Sequence, residues 1–378
     1  MKGIFNGKII LPDGIVEDKV LVFDTVIKGL YSEEEAKTLC DEMYDAKGQY
    51  VSPGFVDVHI HAYGGCDVSD GIAPDVRSMA EAILKNGVTA FCPTTMTVSI
   101  PEIRAAFDVC RSLKEESKTW AGAEILGVHA EGPFINKAKK GAQNEAHILP
   151  PDVNFVLENQ DIISLMTVAP EVEGMEDFIR TVTEKSNVVL SVGHTCANYD
   201  QTMQSVEWGI THSSHTFNAM VGLLHRDPGT VGAVLSSDKV YCELIADTFH
   251  VHPGLYQMLY DLKKDRLVVV TDCIRAAGMP EGEYVSGGLK FTVKGIECRL
   301  ADGTIAGSVL RMNHAIRNFR DNTNLPLHEI INLMSRNPAA SVRAQGKGTL
   351  EAGKDADILF LDEGFEVVSA FRCGEKKF

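Results

Sequence analysis

Five short segments each bring a metal-binding or proton-transferring side chain to the end of an apolar run: Asp57-Val58-His59-Ile60-His61, Ala130-Glu131, Gly193-His194, Ser214-His215 and Thr271-Asp272. Residues two apart on a strand face the same way, so His59 and His61 can turn both imidazoles toward one ion. Glu131, His194 and His215 add a carboxylate and two more imidazoles. A donor set of imidazole and carboxylate without thiolate suits zinc or ferrous iron and does not separate the two. Asp272 fits a general base. A divalent ion lowers the pKa of a water it holds toward neutrality, and a carboxylate can take that proton and later pass it to a leaving amine. A further ligand, or a group that orients a ligating histidine, is the alternative role for Asp272. A lone histidine at a strand end is more often a hydrogen-bonded structural residue, and His129 is read that way. Six acid, base or ligand groups ending five separate segments are not accounted for by that explanation.

Positioning such groups needs a scaffold that gathers strand ends. Eight buried-strand-like segments run through the middle of the chain: Phe55 to His61, Val88 to Pro93, Ile125 to Ala130, Ile163 to Ala169, Val188 to His194, Ile210 to His215, Cys242 to Ala246 and Leu267 to Thr271. Between them, Pro74 to Asn86, Pro101 to Lys118, Met175 to Lys185 and Pro253 to Lys263 carry helical spacing, and proline opens three of these at an N1-like position. Alternation of this kind predicts an α/β fold, a (β/α)8 barrel, whose enzymes work at the C-terminal ends of the strands. No GxGxxG or GxxxxGK[ST] follows an early strand, which removes support for a nucleotide-binding sheet. Short β-type runs with turn signals at both ends of the chain predict one small discontinuous β domain from residues 1–52 and 347–378. The barrel then spans 53–346, with a β-hairpin insertion near 284–305 over its mouth and helices resuming at Val309 to Phe319 and Leu327 to Ser335. Glu33 to Glu35 reads as a solvated helix face.

Charge and cysteine usage narrow the partners. Lys and Arg total 36 against 52 Asp and Glu, a formal charge of -16. A general affinity for nucleic acid or an anionic membrane is therefore not expected, and an anionic small substrate needs a local cationic site. No run approaches the roughly 20 apolar residues of a membrane span. Met1 to Leu11 lacks the pattern of a signal peptide, so the expectation is a cytoplasmic protein. Nine cysteines, an odd number at irregular spacing and without a CxxC pair, read as reduced thiols. Cys92, Cys242, Cys273 and Cys298 in apolar runs read as small core residues.

Phe55 to His61, together with Gly348-Thr349-Leu350-Glu351-Ala352-Gly353-Lys354-Asp355-Ala356-Asp357, resembles the amidohydrolase superfamily, a metal-bearing barrel with a small β-sandwich made from both termini. More narrowly, His129-Ala130-Glu131-Gly132-Pro133-Phe134, Gly193-His194-Thr195, His215-Thr216-Phe217-Asn218-Ala219-Met220 and Leu224-His225-Arg226-Asp227-Pro228-Gly229 resemble the N-acetylglucosamine-6-phosphate deacetylase family over nearly the whole chain. The resemblance implies that Glu131, His194 and His215 hold a principal divalent metal, zinc or iron, and that Asp272 is catalytic base and then acid. His59 and His61 match members that hold a second metal, with Glu131 in the bridging place. It also implies substrate contacts from Ala142, Gln143, Asn218, Ala219, His225, Arg226, His250, Ile305, Ala306 and Gly307. In the family the arginine crosses to the phosphate of the neighbouring subunit, which implies a homodimer with Arg226 shared across its interface. Arg offers a fork of donors matched to phosphate oxygens. The implied reaction is hydrolysis of N-acetyl-D-glucosamine 6-phosphate to glucosamine 6-phosphate and acetate, in amino-sugar catabolism. Gln143 departs from the pattern, because the family usually has histidine there and glutamine cannot carry a positive charge. A related phosphorylated N-acetylhexosamine such as N-acetylgalactosamine 6-phosphate, another amidohydrolase substrate, and a catalytically silent scaffold are the competing expectations.

Overall fold

In the computed structural model, which describes residues 1–378, the eight expected segments pair side by side as parallel strands: Phe55–Ile60, Val88–Thr95, Glu124–Ile125 continued by Val128–Glu131, Ile163–Val168, Val189–Val192, His212–Ser213, Tyr241–Ile245 and Leu267–Val270. Backbone and side chain close the ring between the last strand and the first. The Asp272 N–H donates to the His59 carbonyl at 2.8 Å, and the buried Asp57 carboxylate accepts the Thr271 hydroxyl at 2.6 Å. Burial pushes the Asp57 carboxyl up, to about 7, against the hydrogen bonds from Thr271 and the His59 N–H.

The inside of this barrel is layered. Val56, Val58, Ala90, Cys92, Leu165, Val189, Ile245, Val268 and Val270 pack together as an apolar floor. The alternate residues, such as Phe91, Met166, Leu190, Leu244 and Val269, pack outward under the helices. On the first strand this alternation is interrupted by a bulge. Phe91 lies opposite Asp57 and Pro93 opposite Ile60, so two steps on the second strand match three on the first. The extra residue changes the phase, placing Ile60 in the outer cluster and leaving His59 and His61 to face inward above Val58.

Three of the predicted strand ends stop early. His194, His215 and Asp272 lie beyond Val192, Ser213 and Val270, in left-handed backbone with φ of 50°, 29° and 48°. A turn, not a continuing strand, aims each of them at the barrel axis.

Helices Ala73–Leu84, Ile100–Ser117, Met175–Lys185 and Tyr256–Lys263 stand where the spacing placed them. Pro74 and Pro101 occupy first turns, whereas Pro253 opens a 3-10 turn, Pro253–Leu255, ahead of its helix. Ser99 and Glu102 form a capping box that starts Ile100–Ser117. Val153–Glu158, Tyr199–Trp208 and Gly229–Ser236 carried no clear sequence signal; the last is buried nearly all round and so has no polar face to set a period. The insertion is a three-stranded antiparallel sheet, Gly282–Ser286, Leu289–Lys294 and Glu297–Leu300, one strand more than the expected hairpin. Ser286 fastens it by donating its hydroxyl hydrogen bond to the buried Asp67.

Both ends of the chain meet in a β-sandwich. Lys8–Leu11 pairs with Tyr50–Pro53, which pairs with Ile358–Leu361 of the C-terminal segment, in a six-stranded sheet. A four-stranded sheet contains Lys2–Phe5 and Val20–Phe23. Ile4, Ile9, Phe23, Val51, Ile358 and Phe371 fill the space within. A buried ion cluster links the C-terminal segment to the barrel. The Lys347 ammonium lies 2.6 Å from Glu124, 2.8 Å from Asp355 and 2.9 Å from Asp357. Arg372 reaches Glu124 at 3.2 Å and donates to the Ser117 carbonyl at 2.8 Å.

Candidate active site

The five strand ends singled out in the sequence converge at the mouth of the barrel. Glu131 Oε1 lies 3.1 Å from His194 Nε2, 2.9 Å from His215 Nε2 and 3.3 Å from His59 Nε2. Glu131 Oε2 faces His61 Nε2 at 3.2 Å. Asp272 Oδ1 completes the group from the far side, 3.3 Å from His61 Nε2 and 3.6 Å from His59 Nε2. All six side chains are buried, Asp272 the least so at 8% exposure. The ligand atoms fall into two sets, Glu131/His194/His215 and His59/His61/Glu131, each within 4.8 Å, with the glutamate common to both.

Tautomers decide what this cluster can hold. His194 Nδ1 lies 2.8 Å from the Lys139 carbonyl, which only accepts, so Nδ1 carries a proton and, in the neutral ring that a metal requires, Nε2 a lone pair. The same argument applies to His59, whose Nδ1 lies 2.8 Å from the Glu243 carboxylate. These lone pairs therefore point at the anionic oxygen of Glu131 from 3.1 and 3.3 Å. His194 Nε2 and His215 Nε2 are themselves 3.1 Å apart. Two facing ring nitrogens need a proton or a metal ion between them, and tetrahedral zinc at about 2.0–2.1 Å from nitrogen sets ligands about 3.3 Å apart. His59 Nε2 has no hydrogen-bond partner although fully buried. The residues fit a divalent metal. Burial opposes ionisation of both acids, yet imidazolium forms of the neighbouring histidines, His59 first, would hold Glu131 well below the usual carboxylate range and Asp272 below it as well; a metal ion takes the place of those protons.

Beside the cluster opens a cavity of about 350 Å³, lined among others by His61, Glu131, His194, His215 and Asp272. Ala142, Gln143, Asn218, Ala219, His250, Ile305, Ala306 and Gly307 line it too. His250 is held by Asp247, whose carboxylate accepts Nδ1–H at 2.7 Å. Gln143 has its amide committed: Oε1 accepts the Thr97 N–H at 2.6 Å and Nε2 donates to Glu131 Oε2. His225 and Arg226 are not brought to the cavity by this chain; they stand exposed on a loop with Leu223 and Leu224, which are 52% and 65% exposed. His129 is satisfied on both nitrogens, by the Val58 carbonyl at 3.1 Å and the Thr167 hydroxyl at 2.7 Å, as a structural residue should be.

A family model described as the amidohydrolase family matches residues 50–376. The chain belongs to the amidohydrolase family. Among relatives, this amidohydrolase is 36% identical over 338 residues to an N-acetylglucosamine-6-phosphate deacetylase of Lysinibacillus sphaericus, covering 88% of this chain and 87% of that one. It is 33% identical over 382 residues to an N-acetylgalactosamine-6-phosphate deacetylase of Escherichia coli O157:H7, covering 97% of each. The solved structure of the N-acetylglucosamine-6-phosphate deacetylase from Pasteurella multocida superposes with a TM-score of 0.94 at 28% identity, covering 99% of both chains.

Sequence reasoning passed over three contributors to this amidohydrolase site. Lys139 is the one Lys or Arg among the cavity-lining residues. Glu171 holds the loop after the fifth strand by accepting the Thr195 hydroxyl and the Asn136 amide. Glu243 supports His59 from below. An acid inside the otherwise apolar Tyr241–Ile245 is the signal that could have exposed Glu243.

Proposed function

We propose that this amidohydrolase hydrolyses the acetamide of N-acetyl-D-glucosamine 6-phosphate, yielding acetate and D-glucosamine 6-phosphate. The observation that carries the reading is the meeting of Glu131, His194, His215 and Asp272 on one wall of a cavity large enough for a phosphorylated sugar. In it Glu131, His194 and His215 would hold the principal divalent ion, zinc or iron, and His59, His61 and Glu131 are the residues that would hold a second. A bound divalent ion supplies a Lewis acid that activates water and polarises the acetamide carbonyl.

Asp272 accepts the proton of the attacking water at a carboxylate oxygen. It returns that proton to the sugar nitrogen as the carbon–nitrogen bond breaks, so the amine departs neutral. Its backbone N–H is tied to the His59 carbonyl at 2.8 Å and its carbonyl accepts the Ser308 N–H at 2.9 Å, which fixes the left-handed turn that aims the carboxylate. The turns at Asn218-Ala219 and Ile305-Ala306-Gly307, with Ala142, Gln143 and His250, bound the space for the sugar. Lys139 supplies a cation for the phosphate within the subunit. His225 and Arg226 supply it from a second copy of the chain, docked against the exposed Leu223 and Leu224.

The test is acetate and amine release by the metal-loaded chain from four compounds: N-acetylglucosamine 6-phosphate, N-acetylgalactosamine 6-phosphate and the two unphosphorylated sugars. The fastest turnover is expected on the first. A preference for the galacto epimer would move the assignment to the second relative's substrate, and no acetate from any of the four would overturn it. Replacing His59 and His61 together by Ala should empty only the second metal position.

A further inference from the structure

Beneath the metal-binding cluster lies a second, completely buried polar layer that no part of the reaction above uses. It contains Glu243 of the seventh barrel strand together with His129, Thr167, Ser191, His212 and Ser214, all 0% exposed. The proton directions in this layer are fixed by elimination. His129 must donate Nδ1–H to the Val58 carbonyl, so its Nε2 accepts the Thr167 hydroxyl at 2.7 Å. Thr167 then accepts from Ser214, and Ser214 from Ser191, each at 2.7 Å. Ser191 in turn accepts His212 Nδ1–H at 3.3 Å. This relay uses every hydroxyl proton and leaves none for the group above it.

Glu243 stands apart from the relay and serves the ligands. Its Oε2 accepts two N–H groups, His59 Nδ1 and the backbone N–H of His215, both at 2.8 Å. Its own carbonyl accepts the Thr216 N–H at 2.9 Å. One carboxylate oxygen thus touches a ligand from each of the two sets. At His59 it determines which ring nitrogen is free. At His215 it holds a backbone with φ of 29°, a conformation that a residue with a β-carbon keeps only where its surroundings enforce it. The groups facing Glu243 are the imidazoles of His59, His129 and His212, the last 3.6 Å from Oε1, and the N–H of His215.

The geometry points to Glu243 as a positioning residue that couples the two metal positions, locking His59 in the Nδ1–H tautomer while clamping the turn that carries His215. The inference rests on the metal-binding reading of the cluster. Carboxylate partners that fix a ligating histidine in this way change metal affinity by about 10–100-fold when removed.

The experiment compares the full chain with Glu243→Leu and Glu243→Gln. Zinc stoichiometry and affinity are measured by metal analysis and competition titration, and the cobalt(II) absorption spectrum reports ligand geometry. Long-range nitrogen–proton correlation on histidine-labelled protein reads the His59 tautomer. The wild type should show Nδ1–H at His59 with or without metal. Glu243→Leu should lose about 10–100-fold in affinity at the His59/His61 position, and its remaining cobalt spectrum should shift through His215. Glu243→Gln, whose amide oxygen can still accept both N–H groups, should recover much of this and serves where the leucine variant does not fold. A His59 protonated on Nε2 and not on Nδ1 in the wild type, or wild-type affinities and spectrum in the leucine variant, would overturn the inference. Absence of zinc from the wild type would instead overturn the metal reading, and the tautomer measurement would still decide the role of Glu243.

Discussion

Two buried clusters of charged side chains lie at opposite levels of this molecule, and they are built on opposite principles. At the seam with the β-sandwich, Lys347 and Arg372 sit among Glu124, Asp355 and Asp357, so the cluster carries its own cations. At the barrel mouth, Glu131 and Asp272 are surrounded by the Nε2 atoms of four histidines, and no Lys or Arg reaches in. A cluster that supplies its own counter-ions is complete on folding and joins parts of the chain. One that lacks a permanent cation is completed by protons on its histidines or by a bound ion. The difference separates a structural ion cluster from a site more clearly than burial, which the two share.

The comparison is broken most severely by emptying the mouth. His194→Ala or His215→Ala should remove the principal metal and abolish turnover, while thermal unfolding of the metal-free protein changes little because the cluster had no internal cation to lose. Full metal content and activity in either variant would rule out the assignment.

The seam responds in the reverse sense. Lys347→Met removes the cation shared by Asp355, Asp357 and Glu124, of which Glu124 alone keeps a basic partner in Arg372, and breaking a buried pair in this way costs about 3–5 kcal/mol. Metal content per folded molecule should stay at the wild-type value. Lys347 has its pKa raised: burial works against the charge, and Asp357, Glu124 and Asp355 outweigh it. Its stabilisation is therefore complete below the ordinary lysine value of about 10.4 and is lost as pH climbs from there through the raised folded value. Denaturant unfolding between about pH 10 and 12 should show the wild type losing stability and Lys347→Met starting lower but flatter. Parallel loss in both proteins would mean that another group governs the alkaline limb.

The mouth cluster was more legible in the sequence than the seam, for a physical reason. His59, His61, Glu131, His194, His215 and Asp272 each end an apolar strand segment, and a barrel converts shared position along the strand into proximity. Lys347, Asp355 and Asp357 sit in a turn-rich stretch among many other charges, where no period says which are buried. The barrel strands were read from their apolar runs, whereas Gly229–Ser236 was missed because it is buried nearly all round. The bulge at Asp57 to Ile60 was also illegible, since it depends on the pairing register and leaves no mark in composition. Arg226 shows the limit from another side: its motif was read, but a single chain does not bring it to the cavity.

Asp272 tests whether the mouth is a proton-transfer site as well as an ion site. Asp272→Asn keeps the shape and the backbone turn but cannot take a proton from water. Turnover should fall at least about 100-fold, the lower end of general acid–base contributions, with metal largely retained. Near-normal turnover would sink the base role, and loss of metal with turnover would make Asp272 a ligand.

The smallest expected effect concerns the one cation that lines the cavity. Lys139 serves the site twice, by separate atoms. Its carbonyl takes the His194 Nδ1–H at 2.8 Å, and its ammonium lies 3.3 Å from the Met220 carbonyl on a residue that lines the cavity. Lys139→Met keeps the first function and deletes the second. If the ammonium pairs with a phosphate, KM for the phosphorylated sugar should rise about tenfold, the low end of what a charge-assisted hydrogen bond contributes. Turnover at saturation and KM for the unphosphorylated sugar should be unchanged, because the acetamide end is untouched. Lys139→Arg should restore most of the difference. An equal rise for both sugars would place Lys139 in shaping the cavity and not in reading the anion. No rise at all, set beside a strong selective effect of Arg226→Ala, would mean that the mouth takes its missing positive charge for the substrate entirely from a second copy of the chain.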